Sequence, residues 1–253
     1  MMRSLIKHRK FIEREIFDKN TATVYNGVIV TLVGNVHTTS VRPAKNKITI
    51  RQLFTMTAGF SYDLNSPSLK KCREETDGKC PTGIAMKYPA KEPLLFEPGY
   101  RWEYSLCHDV LAALVHVLSG MRFGEYVKKN IFDVCGMKNS AFLIDCLNKL
   151  VCQYRYNEET DKMEKCTGDN VYRIGTEYES GDAGCVSTLE DYIKFLEAIR
   201  TYKLLKKETV DSLSTNQLTR GQLDMPSYWV YGKPGFGYCR KNIKQIKQKT
   251  GGI

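Results

Sequence analysis

Between His108 and Ser119 apolar side chains recur at helical intervals: Leu111, Leu114, Val115 and Leu118 stand at i, i+3, i+4 and i+7, and Gly120 follows where a helix would stop. A stripe this regular has to be covered, so the chain must build a core around this helix. Two further helices are marked by their starts. Thr49 and Gln52 have capping-box spacing, Ile50, Leu53 and Phe54 follow at helical intervals, and Gly59 is placed to end the run. Ser187 and Glu190 form a second capping box, ahead of an apolar stripe made by Leu189, Tyr192, Ile193 and Leu196. Thr21 to Val41, rich in Thr and Val with Gly27, Gly34 and Asn35 as turn residues, predicts two short strands or a hairpin. The polar stretches 61–92 and 153–183 read as long surface loops.

The 253 residues are 42% hydrophobic and 26% charged, the balance of a globular chain with room for one large core or two modest ones. No stretch approaches the roughly 18 apolar residues of a membrane span, so no membrane partner is expected. The charged N-terminus, Met1 to Lys10, lacks the apolar run of about 7–15 residues that a secretory leader needs, which predicts a cytoplasmic location. Nine cysteines, odd in number and irregular in spacing, argue against a disulfide framework and for free thiols. The net charge of +10 raises a nucleic-acid partner, but Arg240, Lys241, Lys244, Lys247 and Lys249 form a block without interleaved aromatics, so a solvated tail is expected and no nucleic acid. With no repeat and no Pro/Gly/Ser linker inside it, 25–235 reads as one folded unit, between an N-terminal segment at 1–24 and a basic tail at 236–253.

Three segments in order carry a resemblance. Ile48 to Phe60 (ITIRQLFTMTAGF) is similar to "ITIRxLLTHTSGL"; Phe96 to Ser105 (FEPGYRWEYS), with His108 to Leu111 and Ser119 to Met121, is similar to "FEPGxxWxYSxxxxxxLGxxIExxSGM"; and Gly181 to Asp191 (GDAGCVSTLED) is similar to "GGAGLxSTAxDxxRF". These patterns belong to the serine β-lactamase, D-alanyl-D-alanine peptidase and esterase superfamily, in its class C branch. The resemblance implies an α+β fold of the β-lactamase/DD-peptidase type, with the helical region largely retained and an incomplete antiparallel sheet. It also implies acyl transfer: a serine in Ser-x-x-Lys attacks a carbonyl, the lysine eases deprotonation, a tyrosine passes protons, and water releases the acyl group.

Carried over residue by residue, Tyr104 is the tyrosine of the family's Tyr-x-Asn element. Leu106 replaces its Asn, which removes an amide-binding group and shifts weight toward esters, whose acyl chain suits an apolar neighbour. Ser4 and Lys7 have the nucleophile spacing that puts both side chains on one helical face, and the 1–24 segment is then a remnant of the nucleophile helix. The residues after them, His8 to Glu15, are charged where that helix is apolar, and Ser68 to Lys71 repeats the spacing in a polar stretch. Lys249, Thr250 and Gly251 match the family's Lys/His-Thr-Gly element, which binds substrate beside the oxyanion hole, although the preceding residues do not alternate like a strand. The family's first helix and strands, and its last strands and helix, have no counterpart here, so a piece of a longer or truncated chain is expected, with uncovered apolar faces that favour self-association.

Other chemistry finds less support. Cys107 and His108 are adjacent and cannot face each other on a helix, and His8, His37 and His116 show no metal-ligand spacing, His116 reading as structural. No phosphate-binding glycine loop is present, so no cofactor and no metal is expected. Two functions stay open: a serine hydrolase acting on a small ester, amide or β-lactam through an acyl-enzyme, or an inactive relative that keeps the helical region as a scaffold or interaction module.

Overall fold

A computed structural model describes residues 23–26, 40–143, 150–166, 173–223, 235–236 and 241–242. Helices dominate. In chain order they are α1 (Ile50–Phe54), α2 (Pro67–Glu75), α3 (Thr82–Ala85), α4 (Cys107–Ser119), α5 (Phe123–Cys135), α6 (Leu189–Arg200), α7 (Lys207–Ser214) and α8 (Arg220–Leu223). Strands occur as three separate antiparallel pairs among the described residues: β1 (Thr23–Asn26) with β2 (Ser40–Pro43), β3 (Tyr154–Asn157) with β4 (Lys162–Lys165), and β5 (Gly235–Phe236) with β6 (Lys241–Asn242). This is the expected helix-rich α+β arrangement with little sheet. The first pair corrects the expected 21–41 hairpin: Thr23 faces Pro43 and Asn26 faces Ser40, so the second strand starts at the end of the predicted span.

The centre is α4, on which α1, α3 and α5 pack. Val110 and Leu114 are buried on it, and Gly120 closes it in the left-handed conformation at φ +69°. Around it lie Leu53 from α1, Leu69 and Cys72 from α2, Met86 after α3, and Trp102. Each fully buried large apolar side chain contributes about 1.5–3 kcal/mol. Leu69 and Cys72 also correct the reading of 61–92 as loop. That stretch holds α2, α3 and a 3₁₀ turn at Pro89–Lys91; its polar residues are the outer face of short helices whose inner face is core. In 153–183, similarly, Ile174 and Tyr178 are buried.

At α1 the capping box forms as expected: Thr49 Oγ1 accepts from the Gln52 N–H and Gln52 Oε1 accepts from the Thr49 N–H. The helix ends earlier than expected, at Phe54, with Thr55 as its cap. Gly59 instead turns the chain at φ +96°, where a Cβ would stand 2.6 Å from the Phe96 carbonyl oxygen. The α6 cap is shifted by one residue, from Ser187 to Thr188, whose side chain accepts from the Asp191 N–H. Its face is reversed as well. Asp191 and Ala198 point inward, while Leu189, Tyr192, Ile193 and Leu196 are 78%, 51%, 55% and 48% exposed. The apolar stripe is real, but among the described residues it faces outward. No single described helix is long and apolar enough to cross a membrane; α4 and α5 pass such a test only when joined across a 78° bend, and α4 is core.

Gly59→Ala should cost about 2 kcal/mol or more, combining left-handed strain with the clash against Phe96. Gly78, also left-handed at φ +72° but with open space around its Cβ position, should cost about 1 kcal/mol when changed to Ala. Urea denaturation of the two variants checks the order; equal losses would remove the close approach at Gly59.

Candidate active site

The three sequence segments meet at the start of α4. The Gly99 N–H donates to the Thr57 carbonyl at 2.8 Å, Leu95 to Gly59 at 2.8 Å, Glu103 to Met56 at 3.0 Å, and Leu106 to Ser61 at 3.2 Å, so 56–61 and 95–106 run bonded side by side. Along this run Trp102, Ser105 and Leu106 are buried and Tyr104 is turned out, 44% exposed. A packing role explains Trp102. It does not explain Tyr104.

The Tyr104 hydroxyl donates to Asp182 Oδ2, and the Tyr62 hydroxyl donates to the same oxygen at 3.2 Å. The two phenol rings meet edge to face, 5.0 Å between centres. Asp182 is placed by a short turn: Ser180 Oγ accepts from the N–H groups of Asp182 and Ala183, each at 3.1 Å. The same Ser180 hydroxyl donates to Asp109 Oδ1 at 2.6 Å, and the Gly181 N–H donates to that oxygen at 3.1 Å. Asp109 sits in the first turn of α4, only 1% exposed. Gly181 is required by contact, because a Cβ there would lie 2.2 Å from the His108 carbonyl oxygen.

The electrostatics follow from burial. Burial, then the hydrogen bond and charge of Asp182, then Tyr62 and Asp109, hold Tyr104 well above an ordinary phenol. Burial also pushes the Asp109 carboxyl up, against the opposing bonds from Ser180 and Gly181. Tyr178, beside Asp109 and buried, is raised for the same reasons. A tyrosinate is therefore disfavoured at this site.

Of the residues singled out from the sequence, Tyr104 stands in this cluster. Ser4, Lys7, Lys249, Thr250 and Gly251 lie outside the described residues. Leu106 is a correction: it is 2% exposed and part of the core around α4, so it does not present its side chain to an acyl group. Cys107 is wholly buried, its thiol pushed up to about 11 by burial, and Ser105 Oγ lies 3.1 Å from its sulfur. His116 Nδ1 lies 2.9 Å from the Met121 carbonyl, a structural bond as expected. The second Ser-x-x-Lys run is on α2, where Lys71 is exposed and pairs with Glu75 at 3.5 Å. Sequence reasoning missed Tyr62, Asp109, Ser180 and Asp182. The signals were Asp109 within an apolar helix and Asp182 at a position where the matching pattern has glycine.

A helical region packed on α4, with an exposed phenol beside the start of that helix, is the arrangement in which the three sequence segments meet. The chain belongs to the beta-lactamase family, whose model matches residues 37–253. It is similar to monacolin J acid methylbutanoyltransferase of Aspergillus terreus, 26% identical over 218 residues, which cover 83% of this chain and 51% of that protein. It is also similar to esterase EstB of Burkholderia gladioli, 27% identical over 214 residues, covering 76% and 53%. Among solved structures, unliganded simvastatin synthase (LovD) from Aspergillus terreus superposes with a TM-score of 0.66 at 22% identity, over 93% of this chain and 63% of that one. A penicillin binding protein from Bacillus halodurans gives 0.53 at 21% identity, over 76% and 56%. The chain spans about half the length of the curated relatives it matches.

The raised carboxyl of Asp109 makes a pH prediction. Such a group binds its proton more tightly in the folded state, so the stability it contributes is fully present below its unfolded pKa, about 3.9, and is lost as pH rises through the folded value. Asp109→Asn does not titrate. The stability difference between variant and wild type should therefore move in the variant's favour as pH rises from about 4. Urea denaturation over a pH series reads this directly; a difference that stays constant would show that Asp109 titrates normally.

Proposed function

We propose that the chain belongs to a serine-dependent acyl-transfer enzyme that opens a small ester, amide or β-lactam through an acyl-enzyme. Ser4 is the nucleophile, Lys7 the group that eases its deprotonation, and Tyr104 the proton-transfer residue; Lys249, Thr250 and Gly251 hold the substrate beside the oxyanion hole. The serine oxygen bonds to the acyl carbon, the leaving alcohol or amine departs with a proton, and the acyl ester passes to water. The names of the relatives, an esterase and a methylbutanoyltransferase, favour esters, and an alcohol can take the place of water as acceptor. The observation that carries the reading is the exposed phenol of Tyr104, held in place by segments of the chain that are distant in sequence.

A second reading draws on the outward stripe of α6: an inactive family member that uses its helical region as an interaction module or self-associates. The two are separated by labelling folded protein with a fluorophosphonate and locating the adduct by peptide mass spectrometry. The adduct should fall on Ser4 and vanish in Ser4→Ala, and Tyr104→Phe should lower kcat/KM for a nitrophenyl ester by about 100-fold or more. No adduct, with ester and nitrocefin turnover equal to buffer, would falsify the enzyme reading and leave the interaction module.

A further inference from the structure

The family pattern GGAG places glycine where this chain has Asp182, so a carboxylate stands on the catalytic tyrosine's side of the turn where the pattern puts only a hydrogen atom. Three separate elements fix it there. The loop after α1 brings Tyr62, the run before α4 brings Tyr104, and both hydroxyls donate to one oxygen of Asp182. The backbone of Asp182 is in turn tied through Ser180 to Asp109 on α4. A phenol has a single proton to donate. In Tyr104 that proton is committed to Asp182, and what the exposed side of its oxygen offers to an arriving group is a lone pair.

We infer that Asp182 is a positioning residue that fixes the direction of the Tyr104 proton and makes Tyr104 a relay, with the Asp182 carboxylate as the terminus of proton transfer. This rests on the acyl-transfer reading above. As the serine O–H proton moves to Tyr104 Oη, the Tyr104 proton moves to Asp182 Oδ2, and the serine electron pair forms the bond to the acyl carbon. When the tetrahedral adduct collapses, the bond to the leaving group breaks, the leaving atom takes the proton from Tyr104 Oη, and Tyr104 recovers its own from Asp182. The phenol is neutral before and after each step, and Asp182 ends as it began. Among the described residues, the titratable groups facing Tyr104 suit a neutral phenol: Asp182 from the turn before α6, Tyr62 from the loop after α1, and Asp109 from α4, of which two are acids. A phenolate between them would be repelled, whereas a relay makes none.

The test has two readouts on the full chain. In the first, the near-ultraviolet tyrosinate band is titrated in wild type and Tyr104→Phe, and the difference isolates Tyr104. Wild type should show no step near the ordinary phenol value of about 10, and Asp182→Asn and Asp182→Gly should bring the Tyr104 step down in pH. The second readout is the pH profile of nitrophenyl ester hydrolysis. Asp182→Asn, which can accept the hydrogen bond but not the proton, should lower kcat by about 100-fold with KM nearly unchanged, and Asp182→Glu should recover part of it. Tyr104→Phe added to Asp182→Asn should cost little more, because the two act as one unit. A wild-type Tyr104 that ionises near 10 and does not respond to Asp182→Asn overturns the proposal, as does an Asp182→Asn profile that overlays wild type. If the titration shifts as expected while wild type shows no turnover at all, the Asp182–Tyr104 coupling stands and the acyl-transfer reading falls.

Discussion

A carboxyl group buried in the first turn of α4 joins the parts of this molecule that would otherwise be independent. Asp109 is 1% exposed and accepts bonds from the Ser180 hydroxyl and the Gly181 N–H, so the turn before α6 is anchored to the core helix by an acid and not by apolar contact. Burying a carboxyl is costly, and the donors around it are what make the burial tolerable. Removing the acid would strand the hydroxyl and the amide in the interior, so the penalty would fall on the turn as well as on the helix. The turn also sits as close to the helix as it can, because Gly181 already lies against the His108 carbonyl.

The same device recurs at the edges of the fold. Glu97 accepts from the Asn46 N–H at 2.6 Å and from Arg42 at 2.8 Å, which holds the segment after β2 against the Pro98–Gly99 turn. Burial would raise the Glu97 carboxyl, but the bonds from Asn46, Arg42 and Lys45 outweigh it and leave the group below its ordinary range. Asp191 accepts from the Asn139 N–H at 2.6 Å, from Ser140 at 3.0 Å and from Lys194 at 3.1 Å, tying α6 to the segment after α5. There too burial is overcome, and the carboxyl is lowered. Acids that gain cationic partners favour their charged form; Asp109, whose partners are neutral, does not. The three carboxyl groups therefore do one structural job, with the carboxyl shifted upward at Asp109 and downward at Glu97 and Asp191.

How much of this could be read from the sequence depended on the range of the interaction. The α1 capping box and the Gly120 stop are settled within a few residues, and both stand where their spacing put them. The α6 stripe shows the limit of periodicity: Leu189, Tyr192, Ile193 and Leu196 do share a face, but the spacing cannot say which face is covered, and the buried Asp191 decided it. Segment 61–92 misled because its helices are short and polar outside, so two buried residues such as Leu69 and Cys72 left too little signal for a window. Leu106 misled in the opposite way: its place in the element that resembles Tyr-x-Asn put it beside an acyl chain, while its place ahead of α4 buries it in the core. Tyr62 and Asp182 are far apart in the chain and were not visible as a pair at all. Tyr104 was legible because a motif carried it, and its partner was not because the motif has no side chain there.

In the proposed reaction the partner changes what kind of reagent Tyr104 would be. A phenol beside an ammonium group is drawn toward tyrosinate and serves as a base in its own right; a phenol beside a carboxylate keeps its proton and can only pass one on. The choice is made here by the backbone, since Ser180 fixes the Asp182 and Ala183 amides and so aims the carboxylate at the two hydroxyls. It is also linked to the core. Asp109 and Asp182 repel one another, and that repulsion is one reason the Asp109 carboxyl is raised. Asp109 lies behind Asp182, joined to its backbone through the Ser180 hydroxyl, so the acid that anchors the turn also stands next to the acid that receives the two phenols. The buried anchor of the turn and the polarity of the site are thus settled by one pair of acids, bridged by the Ser180 hydroxyl.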